Sequence, residues 1–491
     1  MATFNKNQRF AVENASCDSN FSVLMASSYA VISALFLLNG SLGLSWRFAW
    51  VAFGATVICS IISSALRLIR FETLRLDAFL LSLSLLFIAI IQPFVFAING
   101  FDFPYAWQSE IKDDNVANGT GAILSVFLSA YFAGRIFFTT NSRIEKNVKS
   151  KKCSKVNLKF STGLVFFFSI ISTYPFFAFG TAGIVQNLMS NITGRQTGYV
   201  AFSEGAMGSS DPISVLIAQL IPVTVMLNAV LAATEKKFYK KIVHILLFLF
   251  LFFLLISLGG RTWVVIVALT LLSVVYFNSK TIKARVLFFW RMALISILII
   301  GALEYQIKQR HQGIEGASSS GLVGSDINRE IAFIYDIMST RDGFVIADNI
   351  LEKIVMPIPT YIFFVITNPI PRIIWSDKPF DPSFVYVNEL RTGQTGLETG
   401  SNITITIPGR AYVNFGWSGV IQHAFVLGFI LSRLSRKISH VQPGSAKRII
   451  YIFIICLIAV NVRELQAGKF YPIFWIFLIA WSQRFLSQLS S

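Results

Sequence analysis

Charged residues are scarce in this sequence, since only 14% of its 491 residues are Asp, Glu, Lys or Arg, while 54% are hydrophobic. Soluble domains carry about 25% charged residues, so this composition excludes an ordinary soluble protein. The formal charge of +17 would suit nucleic-acid binding, but the basic residues lie mainly in short segments between apolar runs. That distribution sets membrane topology, and we therefore expect a polytopic membrane protein with no nucleic-acid partner.

Cysteine is also rare, with four residues in the chain. Cys59 and Cys456 lie in apolar runs, while Cys17 and Cys153 lie in segments that we assign to the cytoplasm, which excludes a disulfide framework. No pair has the spacing of a zinc site. The polar start of the chain lacks a cleavable signal peptide, so we expect the first apolar run to remain as an anchor.

Apolar runs long enough to cross a bilayer occur twelve times, which predicts an all-α protein with about 12 transmembrane helices. Spans 1 to 9 lie within residues 1–305, a polar loop occupies 306–410, and spans 10 to 12 lie within 411–491. No internal repeat is visible, which disfavours repeat-built transporters. The predicted spans are 22–44, 48–66, 77–99, 119–140, 160–183, 213–234, 242–258, 262–278, 287–305, 411–431, 449–464 and 470–486.

The distribution of Lys and Arg favours cytoplasmic termini. In that orientation 26 positive charges lie inside and 15 outside, nine of the latter in the loop 306–410. We interpret Arg135, near the inner end of its span, as a side chain that reaches the interface, in preference to a functional charge in the membrane. Several tryptophans fall near the predicted outer boundary, where interfacial rings are favoured: Trp46, Trp50, Trp263, Trp375 and Trp417.

The external loop 306–410 is where we expect the chemistry. It holds 11 of the 25 acidic residues and 9 of the 42 Lys and Arg residues. Its segment IVMPIPTYIFFVITNPIPR contains four prolines and is too short and broken to span, so we predict a re-entrant or interfacial segment.

Three motifs lie in or beside this loop. GGRTW places Arg261 at a tight outer turn between two spans, PIPRIIWSDKP contains Arg372, and PGRAYVNFGWSG contains Arg410. An Arg beside the membrane suits a polar cavity or an anionic ligand, and contact with lipid phosphates is the alternative. In this order the motifs resemble those of the oligosaccharide repeat-unit polymerases, the Wzy-type O-antigen polymerases. The resemblance covers mainly residues 255–431.

The resemblance implies a GT-C-like glycosyltransferase of the bacterial inner membrane. It would join undecaprenyl-diphosphate-linked oligosaccharide units into O-antigen or a related surface polysaccharide at the periplasmic face. The implied partners are this lipid-linked oligosaccharide and membrane lipids, with a chain-length regulator as a further candidate. No cofactor is implied, and the sequence contains no D-x-D pair, so we expect a metal-independent reaction.

Arginine suits the leaving diphosphate, because its permanently charged guanidinium can bind two oxygens at once. Arg261, Arg372 and Arg410 are the first candidates, since they lie in the motifs and close to predicted membrane boundaries. Tyr412 can stack on a sugar, as can Trp375 and Trp417, although interfacial anchoring is the alternative. The further diphosphate-binding candidates, each with a surface ion pair as the alternative, are Arg310, Arg329 and Arg391.

The acceptor hydroxyl must lose a proton as it attacks, so a general base is expected on the outer side. The candidates are Glu330, Glu389, Glu398 and His311. Arg310 beside His311 would lower the pKa of the imidazole and favour its neutral form. A solvated loop residue is the alternative for each of the four.

Two other functions remain open from the sequence. An O-antigen ligase shares the architecture and differs in its acceptor, so composition does not separate it from a polymerase. A lipid-linked oligosaccharide flippase would also be polytopic with basic loops, but it would not need an external loop rich in carboxylates and arginines.

Overall fold

A computed structural model describes residues 6–69, 75–86, 114–141, 160–174, 216–257, 261–278, 406–442, 444–463 and 470–489, with Trp290, Thr367 and Trp375. Within these ranges the chain forms helices and turns and no β-strand. We number the α-helices in chain order within the described part. They are α1 (Lys6–Ser41), α2 (Arg47–Ile69), α3 (Leu76–Leu85), α4 (Asp114–Asn141), α5 (Thr162–Ser172), α6 (Ile221–Thr234), α7 (Phe238–Ser257), α8 (Arg261–Asn278), α9 (Ile407–His440), α10 (Ala446–Val460) and α11 (Tyr471–Leu489).

Among the described residues, six segments are long and apolar enough to cross a membrane, which confirms an all-α protein with multi-pass character. They are Asp18–Ser41, Arg47–Ile69, Ala117–Phe137, Leu216–Thr234, Phe238–Leu255 and Phe415–Ile438. Each of the eleven helices overlaps one of the predicted spans. The predicted span 287–305 lies outside the described residues, apart from Trp290.

Helices α1 and α4 pack antiparallel along most of their length. Near one end the ring of Phe36 covers Gly121, where an added Cβ would overlap the ring. Further along, the Ser129 hydroxyl donates to the Ala26 carbonyl oxygen at 2.9 Å. The pairing of early residues in α1 with late residues in α4 continues to Phe21 and Phe132, whose rings meet edge to face at 5.8 Å between centroids.

Helices α4 and α9 cross with their backbones in close contact. A Cβ added to Gly134 of α4 would overlap the carbonyl oxygen of Phe425, and a Cβ added to Gly428 of α9 would overlap that of Tyr131. Small residues permit such an approach in membranes, where packing and hydrogen bonds hold helices together. The two glycines therefore determine how closely α9 docks on α4.

A second group of helices, α5, α6 and α7, is joined by a buried polar network. Asn228 of α6 donates through Nδ2 to the Ser169 hydroxyl at 2.8 Å, and its Oδ1 lies 2.8 Å from Nδ1 of His244 on α7. Asn228 Nδ2 also donates to the backbone oxygen of Thr224, so Oδ1 is the acceptor and Nδ1 of His244 carries a proton. Hydrogen bonds between side chains thus fix the register of these three helices.

The turn between α6 and α7 is stabilised by its own carboxylate. Glu235 accepts from the backbone N–H groups of Lys236 at 3.0 Å and Lys237 at 3.2 Å. The bonds from Lys237 and Lys236 hold the pKa of Glu235 below its ordinary value. The carboxylate therefore favours the reversal of the chain at this exposed turn.

Helix α10 packs against α3, α8 and α9, and α8 in turn packs against α6 of the second group. Arg448, in its first turn, donates to the carbonyl oxygen of Phe277 at the end of α8, at 3.4 Å. Two turns further on, the thiol of Cys456 meets the hydroxyls of Thr270 and Ser273. The order of these contacts shows that α10 and α8 pack antiparallel.

Tryptophans predicted as interfacial anchors lie inside the bundle in three cases. Trp263 of α8 is among the largest fully buried side chains, and Trp46 and Trp50 are buried at the α1–α2 turn. The rings of Trp46 and Trp50 meet edge to face, with 6.2 Å between their centroids. Neighbouring helices cover these three rings, at positions where the hydropathy pattern predicts a membrane boundary.

Candidate functional site

A cluster of buried charges joins three helices, α1, α3 and α4. We define the charge cluster as Asp18 of α1, Arg75 and Asp77 at the start of α3, and Arg135 of α4. Arg75 Nε donates to Asp18 Oδ1 at 3.1 Å, and Arg135 Nη2 donates to Asp18 Oδ2 at 3.3 Å. Arg135 Nη1 pairs with Asp77 Oδ2. The two carboxylates and two guanidiniums balance one another.

Neutral partners complete the hydrogen bonding of Asp77. The Tyr131 hydroxyl donates to Oδ2 at 2.6 Å, and the Ser435 hydroxyl of α9 donates to Oδ1 at 2.9 Å. Arg75 lies over the ring of Phe21, with its guanidinium carbon 3.8 Å from the ring centroid. Every helix that meets here contributes a polar group, so we assign the charge cluster to holding α1, α3, α4 and α9 together.

The prediction that Arg135 reaches the interface is wrong. Its side chain is fully buried, and the two aspartates supply the negative charge that an interface would otherwise provide. Asp18 and Asp77 are the residues that sequence reasoning missed. A carboxylate at the start of each of two apolar runs was the available signal, since intramembrane charges pair with one another.

The first turn of α9 presents the motif arginine Arg410. Thr406 precedes the helix and its hydroxyl accepts from the N–H of Gly409 at 3.1 Å, while Pro408 occupies the first turn. A proline fits there because the first-turn N–H groups have no partner within the helix. Helix α9 therefore begins at Ile407, four residues before the predicted span, and Arg410 is a helical residue.

Arg410 and Tyr412 are both buried, with 7% and 5% of their surfaces exposed. The ring of Tyr412 meets Trp417 edge to face at 5.1 Å between centroids. Gly416 lies between them at φ 58° and ψ −148°, a conformation open to glycine, and it bends α9. The bend sets the Arg410 turn at an angle to the rest of α9.

Arg261 is the first residue of α8, and three residues separate it from Ser257, the last residue of α7. The tight turn predicted between the two helices lies in residues 258–260, outside the described residues. The described residues contain no group of three or more His, Cys, Asp or Glu side chains that could hold a metal ion.

The remaining predicted site residues lie outside the described residues. They are Glu330, Glu389, Glu398, His311, Arg310, Arg329, Arg372 and Arg391. The segment predicted to be re-entrant also lies there, except for Thr367.

No family model, curated protein or solved structure matches this chain.

Proposed function

We propose that this protein polymerises undecaprenyl-diphosphate-linked oligosaccharide repeat units into O-antigen or a related surface polysaccharide. It would act as a GT-C-like, metal-independent glycosyltransferase at the periplasmic face of the bacterial inner membrane, with both termini in the cytoplasm. The three motifs around Arg261, Arg372 and Arg410 support this proposal, together with the all-helical membrane architecture.

The buried Arg410 carries the proposal. A helix N-terminus bears about half a positive charge, and Arg410 lies in the first turn of α9. A buried guanidinium at that position adds a second positive charge. An anion is the partner that both charges favour, and a diphosphate offers oxygens that match the guanidinium fork.

The reaction follows from this assignment. The acceptor hydroxyl attacks the anomeric carbon of the growing chain, a new glycosidic bond forms, and the bond to the diphosphate breaks. A general base from Glu330, Glu389, Glu398 or His311 takes the hydroxyl proton. Arg410, with Arg261 and Arg372, would stabilise the charge that develops on the departing undecaprenyl diphosphate. Tyr412 would contact a sugar ring of the substrate.

Purified protein in liposomes, supplied with the lipid-linked repeat unit, tests the proposal. We expect a ladder of lipid-linked products with increasing repeat number. Deletion of the gene should leave lipopolysaccharide with a single repeat. An uncapped core would instead identify a ligase, and loss of repeat units from the outer face would identify a flippase.

A further inference from the structure

Asn461 is buried with both ends of its amide unpaired. It follows the last residue of α10 and begins a 3-10 turn, Asn461–Arg463. None of its surface is exposed, and neither Nδ2 nor Oδ1 has a hydrogen-bond partner in the described part of the chain. Buried polar groups are nearly always paired, so an amide with two unpaired ends points to a ligand.

The position of Asn461 along α10 places it at membrane depth. Lys447, exposed in the first turn of α10, indicates that this end lies at a membrane surface. Asn461 is 14 residues further, or about 21 Å at 1.5 Å per residue, while the hydrocarbon core is about 30 Å thick. Backbone leaves a helix at such depth only where protein or a polar cavity surrounds it.

The register of α10 against α8 brings Asn461 to the level of the Arg261 turn. Arg448 contacts Phe277, and the two helices run in opposite directions. Thirteen residues along α10 from Arg448, and the same number back from Phe277, place Asn461 level with Val264. Arg261 is three residues beyond Val264, or about 5 Å along the helix axis.

The two unpaired ends of the amide restrict the ligand. Nδ2 donates and Oδ1 accepts, so one group must both accept and donate to satisfy the side chain. The oxygens of a diphosphate diester only accept and would leave Oδ1 unpaired. Adjacent hydroxyls on a sugar ring supply a donor and an acceptor at the spacing of an amide.

We infer that Asn461 is a carbohydrate-binding residue, which pairs through its amide with hydroxyls of the lipid-linked oligosaccharide close to the diphosphate held at Arg261. This inference rests on the proposed function and names the part of the substrate that enters the bundle. It assigns the sugar end of the substrate to the end of α10 and the diphosphate end to the start of α8.

Binding measurements on purified full-length protein test the assignment. The two probes are the intact lipid-linked repeat unit extracted from the source strain and undecaprenyl diphosphate without sugar. We expect Asn461→Leu to weaken binding of the intact repeat unit by about tenfold, which corresponds to about 1.4 kcal/mol. Binding of undecaprenyl diphosphate should change by less than about twofold, because this ligand has no sugar for the amide to contact and so loses no hydrogen bond.

Three results would overturn the inference. Equal weakening of both probes would assign Asn461 to the diphosphate or to folding. Unchanged binding of both would assign the amide to water. If the wild-type protein binds the intact repeat unit no more tightly than undecaprenyl diphosphate, it has no site that binds the sugar. None of these results depends on polymerisation, so failure of the proposed function is detected separately in the product ladder.

A matched substitution controls for folding. Asn228 is also fully buried, but its amide is paired with Ser169 and His244. Asn228→Leu should lower the unfolding temperature in detergent, whereas Asn461→Leu should leave it unchanged or raise it, because no bond is lost. If Asn461→Leu does not fold, Asn461→Ser, smaller and still polar, gives the same comparison of probes, and equal effects on both probes would again overturn the inference.

Discussion

A single side chain can be costly to a membrane protein or essential to it, depending on its partner. Arg135 and Arg410 are both buried arginines in apolar helices. Arg135 has two aspartates as ion-pair partners, so its charge serves the fold. Arg410 lies in the first turn of α9, within the motif PGRAYVNFGWSG, and we propose that it contacts the diphosphate of the substrate.

Replacement of Arg410 should therefore affect activity more than folding. We expect Arg410→Lys to lose most polymerisation, because an ammonium cannot grip two phosphate oxygens, and Arg410→Ala to lose nearly all of it. A charge-assisted contact to the departing group is worth on the order of 2–4 kcal/mol, or roughly 30-fold to 1000-fold in rate. The product ladder from purified variants measures this change.

Arg433→Ala is the control for Arg410, since Arg433 is exposed near the other end of α9. It should polymerise at the wild-type rate. Long-chain product from Arg410→Ala at the wild-type level would remove Arg410 from the site and shift the role to Arg261 and Arg372.

The charge cluster gives the opposite expectation. Asp77→Asn leaves Arg135 buried without its closest counter-charge, which should cost about 3–5 kcal/mol of stability. Ser435→Ala removes a hydrogen bond to Asp77 but no charge, and should cost about 1 kcal/mol. Thermal unfolding in detergent measures both variants.

The double variant Asp77→Asn with Arg135→Gln completes this test. It should be more stable than Asp77→Asn alone, because no unpaired charge remains buried. If the loss of stability in the double variant equals the sum of the losses in Asp77→Asn and Arg135→Gln, the two side chains do not act as a pair.

Among the helices, α9 connects the turn that contains Arg410 with the charge cluster. Its first turn carries Arg410, its middle crosses α4, and Ser435 near its end binds Asp77. From Gly416 to Ser435 alone the helix extends about 28 Å. Its docking on α4 therefore influences the position of the Arg410 turn from a distance.

Gly134→Ala tests this docking with one added methyl group. The new Cβ would overlap the backbone of Phe425, which cannot move aside as a side chain can, so α9 must shift. We expect a loss of about 1–3 kcal/mol in stability and reduced polymerisation. Gly163→Ala in α5 is the control, because nothing lies within 4 Å of its added Cβ. It should be neutral or slightly stabilising, and an equal loss of stability in both variants would show that overlap with Phe425 is not the cause.

For the whole molecule, the unequal distribution of Lys and Arg between predicted inner and outer segments predicts the orientation in the membrane. We expect the loop 306–410 outside and both termini inside. Reporter fusions after Gly324 and after Gly444 should then report opposite sides of the membrane. The same side for both would contradict the predicted topology.

The proposed polymerisation should survive chelation. The sequence contains no D-x-D pair, and arginines are the groups that we assign to the diphosphate charge. Addition of EDTA to the liposome assay should leave the product ladder unchanged. Abolition by EDTA with recovery on addition of a divalent ion would show that the reaction needs a metal.

Much of the local structure was predictable from hydropathy. In lipid every backbone N–H and C=O must be paired within its own segment, so a long apolar run becomes a helix whatever its neighbours are. The eleven helices accordingly overlap predicted spans, and the helix start at Arg261 followed from its motif. The motif PGRAYVNFGWSG likewise identified Arg410 as a candidate, because a motif depends only on residues that are close in the sequence.

Only the tertiary structure decided which buried groups are paired. Asp77 and Arg135 are 58 residues apart, and Ser435 is 358 residues from Asp77, so no local pattern predicts their contact. The sequence alone determined that this protein is a helical membrane protein. The fold decided that Arg135 is paired with aspartates and that the amide of Asn461 is not paired, because pairing depends on which helices pack together and in what register.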